Sequence, residues 1–155
     1  MKLKVINMLF IVVFIGTLLV LGLGCSSITP SITDSSAPLK NPFDQVKEYA
    51  MSCPRDSNGN YVWMRTLEIK NDSNDPGVDF TTTWIMAYEP KRNRIGMAKW
   101  TGEDCLVLVY YVNEDRYEVA LVIEGLLVQQ QDIPKDQAME MANGFFKDLV
   151  DNKII

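Results

Sequence analysis

Histidine is missing from all 155 residues. Imidazole is the side chain whose unperturbed pKa lies nearest neutrality, and it is also the commonest metal ligand. Its absence excludes Ser-His-Asp triads, Cys-His nucleophiles and His-ligated zinc, copper or iron sites. No G-x-S-x-G elbow, Walker loop, dinucleotide fingerprint or Cys-x-x-Cys spacing occurs either. Catalysis here would have to run through carboxylates, a Lys or Tyr, or an oxygen-bound metal, and no cofactor is implied. Cysteine is scarce as well, at three residues, Cys25, Cys53 and Cys105.

Positive charge is the next shortage. The chain has 20 acids and 15 bases, and two of those bases, Lys2 and Lys4, precede Cys25 while none of the acids does. Beyond Cys25, 20 acids therefore face 13 bases, a net charge of −7. Neutralising nucleic-acid phosphates needs a basic face, so nucleic acid is not an expected partner. Broad adhesion to anionic headgroups is disfavoured on the same ground. A net charge of this size chiefly keeps a protein soluble.

Long apolar runs are confined to one place. Met1-Lys2-Leu3-Lys4 is basic, and Val5 to Leu23 is apolar apart from Asn7, Gly16, Thr17 and Gly22. Gly24-Cys25-Ser26-Ser27 closes the stretch. A charged start, an apolar centre and a small-residue exit describe an export signal. With a cysteine directly after Gly24, the segment resembles the signal of prokaryotic lipoproteins. Gly22 stands where such signals ordinarily carry a branched apolar residue, and Leu21 lies one position earlier. The resemblance implies removal of residues 1–24, diacylglycerol (palmitate-type) modification of Cys25, and an anchor at the extracytoplasmic face of the cell membrane. One acyl chain binds membranes only marginally, and a diacyl anchor meets the need for two.

Two other readings of the leader remain open. Val5 to Gly24 is about 20 residues, enough to cross a hydrocarbon core of roughly 30 Å as an uncleaved helix. Simple secretion is the other. All three place the remainder of the chain outside the cytoplasm.

Residues 25–40 hold the anchor cysteine and a Ser/Thr/Pro-rich stretch with no apolar period, read as a flexible spacer. Residues 41–155 match a common single-domain size. The expected fold is α+β: an antiparallel sheet of four to five strands, with a short N-terminal helix and a C-terminal amphipathic helix packed on it. Asn41-Pro42-Phe43-Asp44 offers an N-cap, a first-turn proline and a first-turn acid, predicting a helix to about Met51. Strands are predicted over Tyr61–Lys70, Phe80–Glu89, Arg94–Trp100, Cys105–Val112 and Tyr117–Val128, the last with a bend at Gly125. Cys105–Val112 is apolar on both faces, as a strand covered on both sides would be. Asp132, Ile133 and Pro134 open the last helix, striped by Ala138, Met141, Ala142, Phe145, Phe146, Leu149 and Val150. Gly144 inside it suggests close packing there.

Candidate sites are sparse. In an extracytoplasmic setting Cys53 and Cys105 form a possible disulfide. It would close a loop of about 50 residues, worth on the order of 4 kcal/mol. Two buried thiols are the alternative. Glu68, Glu89, Glu118 and Glu124 are the carboxylates on strands that a glycosidase would need to pair, though most read as solvated surface. Asp56-Ser57-Asn58-Gly59-Asn60, and Asp72, Asp75 and Asp79, are rich in calcium-type oxygens but fit ordinary turns equally. Asn71-Asp72-Ser73 has the glycosylation acceptor pattern.

Trp63, Trp84, Tyr88 and Trp100 are the weak candidates for ligand binding, since an open aromatic face stacks sugars or grips apolar peptides. Core packing competes with that reading, and Trp100 is the ring expected to be most exposed. Lys91-Arg92-Asn93-Arg94 makes a local positive tip. The function expected is non-catalytic: a lipid-anchored envelope domain that binds a protein, small molecule or glycan. The alternatives are a structural or assembly protein recruiting a strand at a sheet edge, and a carboxylate-based envelope enzyme such as a glycosidase.

Overall fold

The computed structural model describes residues 40–69 and 80–155. Helix α1, Pro42–Met51, starts where the sequence caps it: Asn41 Oδ1 accepts the Phe43 backbone N–H at 3.0 Å. Six strands follow, β1 (Tyr61–Ile69), β2 (Phe80–Glu89), β3 (Arg94–Thr101), β4 (Asp104–Tyr111), β5 (Arg116–Ile123) and β6 (Leu126–Ile133). Helix α2, Lys135–Asp151, ends the fold. The strands pair antiparallel in chain order, β1 through β6, as an unbroken meander. No helix among the described residues is long and apolar enough to cross a membrane.

The α+β class with two helices agrees with the sequence pattern, but the strand count is six, not four or five. The long strand expected over Tyr117–Val128 is two strands. Glu124 and Gly125 both have positive φ (50° and 73°), the type I′ geometry that joins two-residue hairpins. Gly125 is thus a reversal, not a bend. The Glu124 N–H donates to Asp104 Oδ1 at 3.0 Å, and the Gly125 N–H donates to the Glu103 carbonyl at 3.0 Å. Asp132 and Ile133 belong to β6, and α2 begins after Pro134.

Alternation along each strand divides the apolar residues into two layers. Both helices lie on one face. There Phe43, Val46, Ala138, Ala142 and Leu149 pack on Trp63, Trp84, Met86, Ile95, Met97, Leu108, Tyr117 and Val119. The opposite face carries a second cluster of Ile85, Ala98, Cys105, Val107, Ala120 and Val122, drawn wholly from strands. β4 lies between β3 and β5 and feeds both layers, which explains its unbroken apolar run. The α2 stripe is narrower than the sequence suggests, because Val150 is 54% exposed.

One polar clamp ties α2 to the sheet. Trp84, 1% exposed, donates its Nε1–H to Asp148 Oδ2 at 2.6 Å, and Lys99 Nζ reaches the same oxygen at 2.8 Å. Partial burial alone would raise the Asp148 pKa, but the bonds from Lys99 and Trp84 outweigh it and hold the carboxyl below its usual range. A lowered folded pKa contributes stability above the unfolded value and loses it as pH falls through the folded one. Stability is therefore expected to fall below about pH 4. Asp148→Asn should cost about 1–2 kcal/mol at neutral pH and flatten that acid limb in urea titrations.

A second prediction concerns Gly144. A Cβ built there meets no heavy atom within 4 Å, so the close packing expected at this glycine is absent. Gly144→Ala should therefore raise stability by up to about 1 kcal/mol in thermal or urea unfolding.

Candidate functional site

Direct cross-strand pairing lines up residues that are far apart in sequence. On the face opposite the helices, Glu89, Arg94, Tyr111 and Arg116 are successive partners across β2, β3, β4 and β5. Arg94 bonds Glu89 through Nε (3.0 Å) and a terminal nitrogen (2.5 Å), both side chains being buried. The two guanidinium groups flank the Tyr111 ring, with Arg116 at 3.7 Å and Arg94 at 5.6 Å from its centroid. Arg116 also bonds Glu114 (3.0 Å), Glu118 (3.0 Å) and Asp132 (2.6 Å). Burial works against the Arg116 charge, but these carboxylates raise its pKa. Burial, then the Glu118 charge, raises the Tyr111 phenol.

This row settles what the strand carboxylates do. Glu89 is held by Arg94 and Arg92, and Glu118 by Arg116, Tyr111 and Gln130. Glu68 and Glu124 are exposed; Glu68 lies on β1, and Glu124, expected on a strand, is in the β5–β6 turn. The four candidates for glycosidase chemistry are not assembled into one site. Among the described residues, no group of three acidic or cysteine side chains is placed to hold a metal. Asp56 accepts the backbone N–H groups of Asn58 (2.9 Å) and Asn60 (2.8 Å), which is turn chemistry. Asp72, Asp75, Asp79 and Asn71 lie outside the described residues, as does Cys25.

The aromatic candidates separate into two kinds. Trp63 and Trp84 are buried beneath the helices, 4% and 1% exposed. Trp100 is half-buried on the other face and donates its Nε1–H to the Gly102 carbonyl at 2.6 Å. Tyr88 belongs to something the sequence did not reveal. It is the cross-strand partner of Tyr61, and their half-buried rings stack with centroids 6.3 Å apart and planes 9° apart.

A cation covers each ring of that pair. The Arg55 guanidinium sits 5.0 Å from the Tyr61 centroid and donates from Nε to Tyr61 Oη at 2.8 Å. Lys47 Nζ lies 4.4 Å from the Tyr88 centroid. The Tyr88 hydroxyl donates to Asn93 Oδ1 (3.3 Å), and Asn93 Nδ2 donates to Asn113 Oδ1 (2.8 Å). The basic tip at Lys91–Arg94 thus adjoins this stack, although Arg92 and Arg94 are already engaged with Glu89. Polar residues therefore adjoin a partly exposed array of cation, ring, ring and cation, with Arg55 its most exposed member.

The possible Cys53–Cys105 bridge is not formed. Cys105 is a free, buried thiol in the strand-only layer, whereas Cys53 packs in the helix layer, so the sheet itself separates them. Burial pushes the Cys105 thiol up to about 12. The thiolate is the nucleophile, so Cys105 should resist iodoacetamide at pH 8 in the folded protein and label fully in denaturant, read by peptide mass spectrometry.

No protein-family model matches the chain, and neither does any curated protein or solved structure.

Proposed function

We propose that this chain is a lipid-anchored, extracytoplasmic domain that binds a partner or ligand in the cell envelope without transforming it. The observation that carries the reading is the leader, basic Lys2 and Lys4, apolar Val5–Leu23, then Gly24-Cys25, followed by a polar spacer. Such a spacer lets a folded unit reach away from a membrane surface. Support also comes from the strand carboxylates, since Glu89 and Glu118 are committed to arginines. A second reading, assembly through strand addition, is favoured by β6. Its outer edge is unpaired among the described residues, with Leu126 69% and Val128 54% exposed.

Mass spectrometry of the N-terminus from native membranes tests the anchor. The expected result is a chain beginning at an acylated Cys25, and release of a Cys25→Ala variant from the membrane fraction. The Cys25 sulfur can form one bond only, a thioether to lipid or a disulfide. A Cys25 peptide recovered disulfide-linked and without acyl mass overturns the proposal, as does an intact, unacylated chain with Met1 in the cytosol.

A further inference from the structure

Six of the bases among the described residues pair with acids. Lys40 pairs with Glu48, Arg92 and Arg94 with Glu89, Lys99 with Asp148, Lys147 with Asp151, and Arg116 with three carboxylates. Lys47 and Arg55 are held differently, each by a tyrosine ring. An aromatic face attracts a cation through its quadrupole without neutralising it. The charge stays available to an incoming anion, while its position is already fixed, which lowers the ordering cost of binding. Of the nearby acids, Glu48 pairs with Lys40, and Asp56 keeps its charge but turns its carboxylate to the Asn58 and Asn60 amides. Asp44, one turn before Lys47 on α1, is exposed. Lys91 adds a further exposed cation in the turn that carries Asn93.

The shape of the array selects the kind of anion. Arg55 and Lys47 lie over different rings of the Tyr61–Tyr88 pair, whose centroids are 6.3 Å apart, so the two charges are presented side by side and not at one point. A linear ligand with repeated negative groups meets both. Net charge −7 beyond Cys25 sets a second limit. A flat anionic surface would bring the whole acidic protein against it, whereas a thin chain crosses only the basic patch. Charges more than about 10 Å away are screened at 0.1 M salt. The tyrosine hydroxyls, Asn93 and Asn113 around the cations provide hydrogen-bonding partners suited to sugar hydroxyls.

We propose that the Arg55–Tyr61–Tyr88–Lys47 stack is a binding site for an acidic polysaccharide, a linear glycan bearing carboxylate or phosphate groups. This names the ligand class of the binding role above and rests on it for where the ligand is met. Binding itself can be measured whether or not Cys25 is acylated.

The test titrates the full-length protein, in nonionic detergent, with oligogalacturonate and with a phosphomannan. Neutral dextran and phosphatidylglycerol vesicles are run beside them. At low salt at least one acidic polymer binds, rising salt weakens it, and dextran does not bind. The stronger acidic probe identifies which anionic group is preferred. Lys47→Gln with Arg55→Gln lowers affinity by about tenfold or more. Tyr88→Leu, which removes the seat of Lys47, also lowers it, while Lys135→Gln on α2 leaves it unchanged. Circular dichroism confirms that each variant is folded. The proposal is overturned if the double variant binds as tightly as the parent, if neither acidic polymer binds, if dextran binds equally well, or if only vesicles bind. Loss of acylation in the mass measurement with polymer binding intact would overturn the anchor alone.

Discussion

Register across the sheet is the constraint on which everything else rests. Six strands pair in chain order, with one irregularity between Leu121 and Val122. Each residue therefore has fixed neighbours on adjacent strands, and paired residues share a face. Rows across the sheet take on distinct chemical characters. One row runs Tyr61, Tyr88, Ile95, Tyr110, Tyr117 and Ile133, and its tyrosines stack in pairs. A row on the other face runs Glu89, Arg94, Tyr111 and Arg116. A one-residue slip would exchange the faces and place arginines under the helices.

The two ends of the aromatic row serve different needs. At the β4–β5 end, Phe43 packs 5.3 Å from both Tyr110 and Tyr117, so the rings belong to the core. Burial, with a bond to Asp115, pushes the Tyr110 phenol up to about 12. At the β1–β2 end the covering groups are Lys47 and Arg55, and the same kind of pair is half-buried at the margin of the core. One structural motif thus anchors a helix at one side and presents charge at the other. What differs is which residues of α1 and the loop after it come to rest above the rings.

Capping signals and periodicity located both helices and four of the strands, the strand ends within one residue, while the last helix starts three residues after Asp132. These elements have polar turns between them, and alternation is plain in Tyr61–Ile69 and Phe80–Glu89. β5 and β6 were not separable in this way. Glu124-Gly125 is flanked by apolar residues on both sides, so no polar cluster marks the turn. The run Gln129-Gln130-Gln131 also lacks the β-branched residues that signal a strand. The weak aromatic candidates were a mixture, because strand phase tells which rings share a face and not which face the helices cover. The charged row and the cation-capped tyrosines draw on three or more elements each. Only the register brings them together, so no local window of sequence could have exposed them.

The sheet is also a barrier between two sulfur environments. Cys53 and Cys105 belong to layers on opposite sides of it. In the unfolded chain both thiols are free to collide until the strands close. Once β4 is seated between β3 and β5, Cys105 is walled off and too weakly acidic to attack a neighbouring disulfide. For as long as the meander is intact, the folded sheet therefore keeps the two sulfurs from meeting.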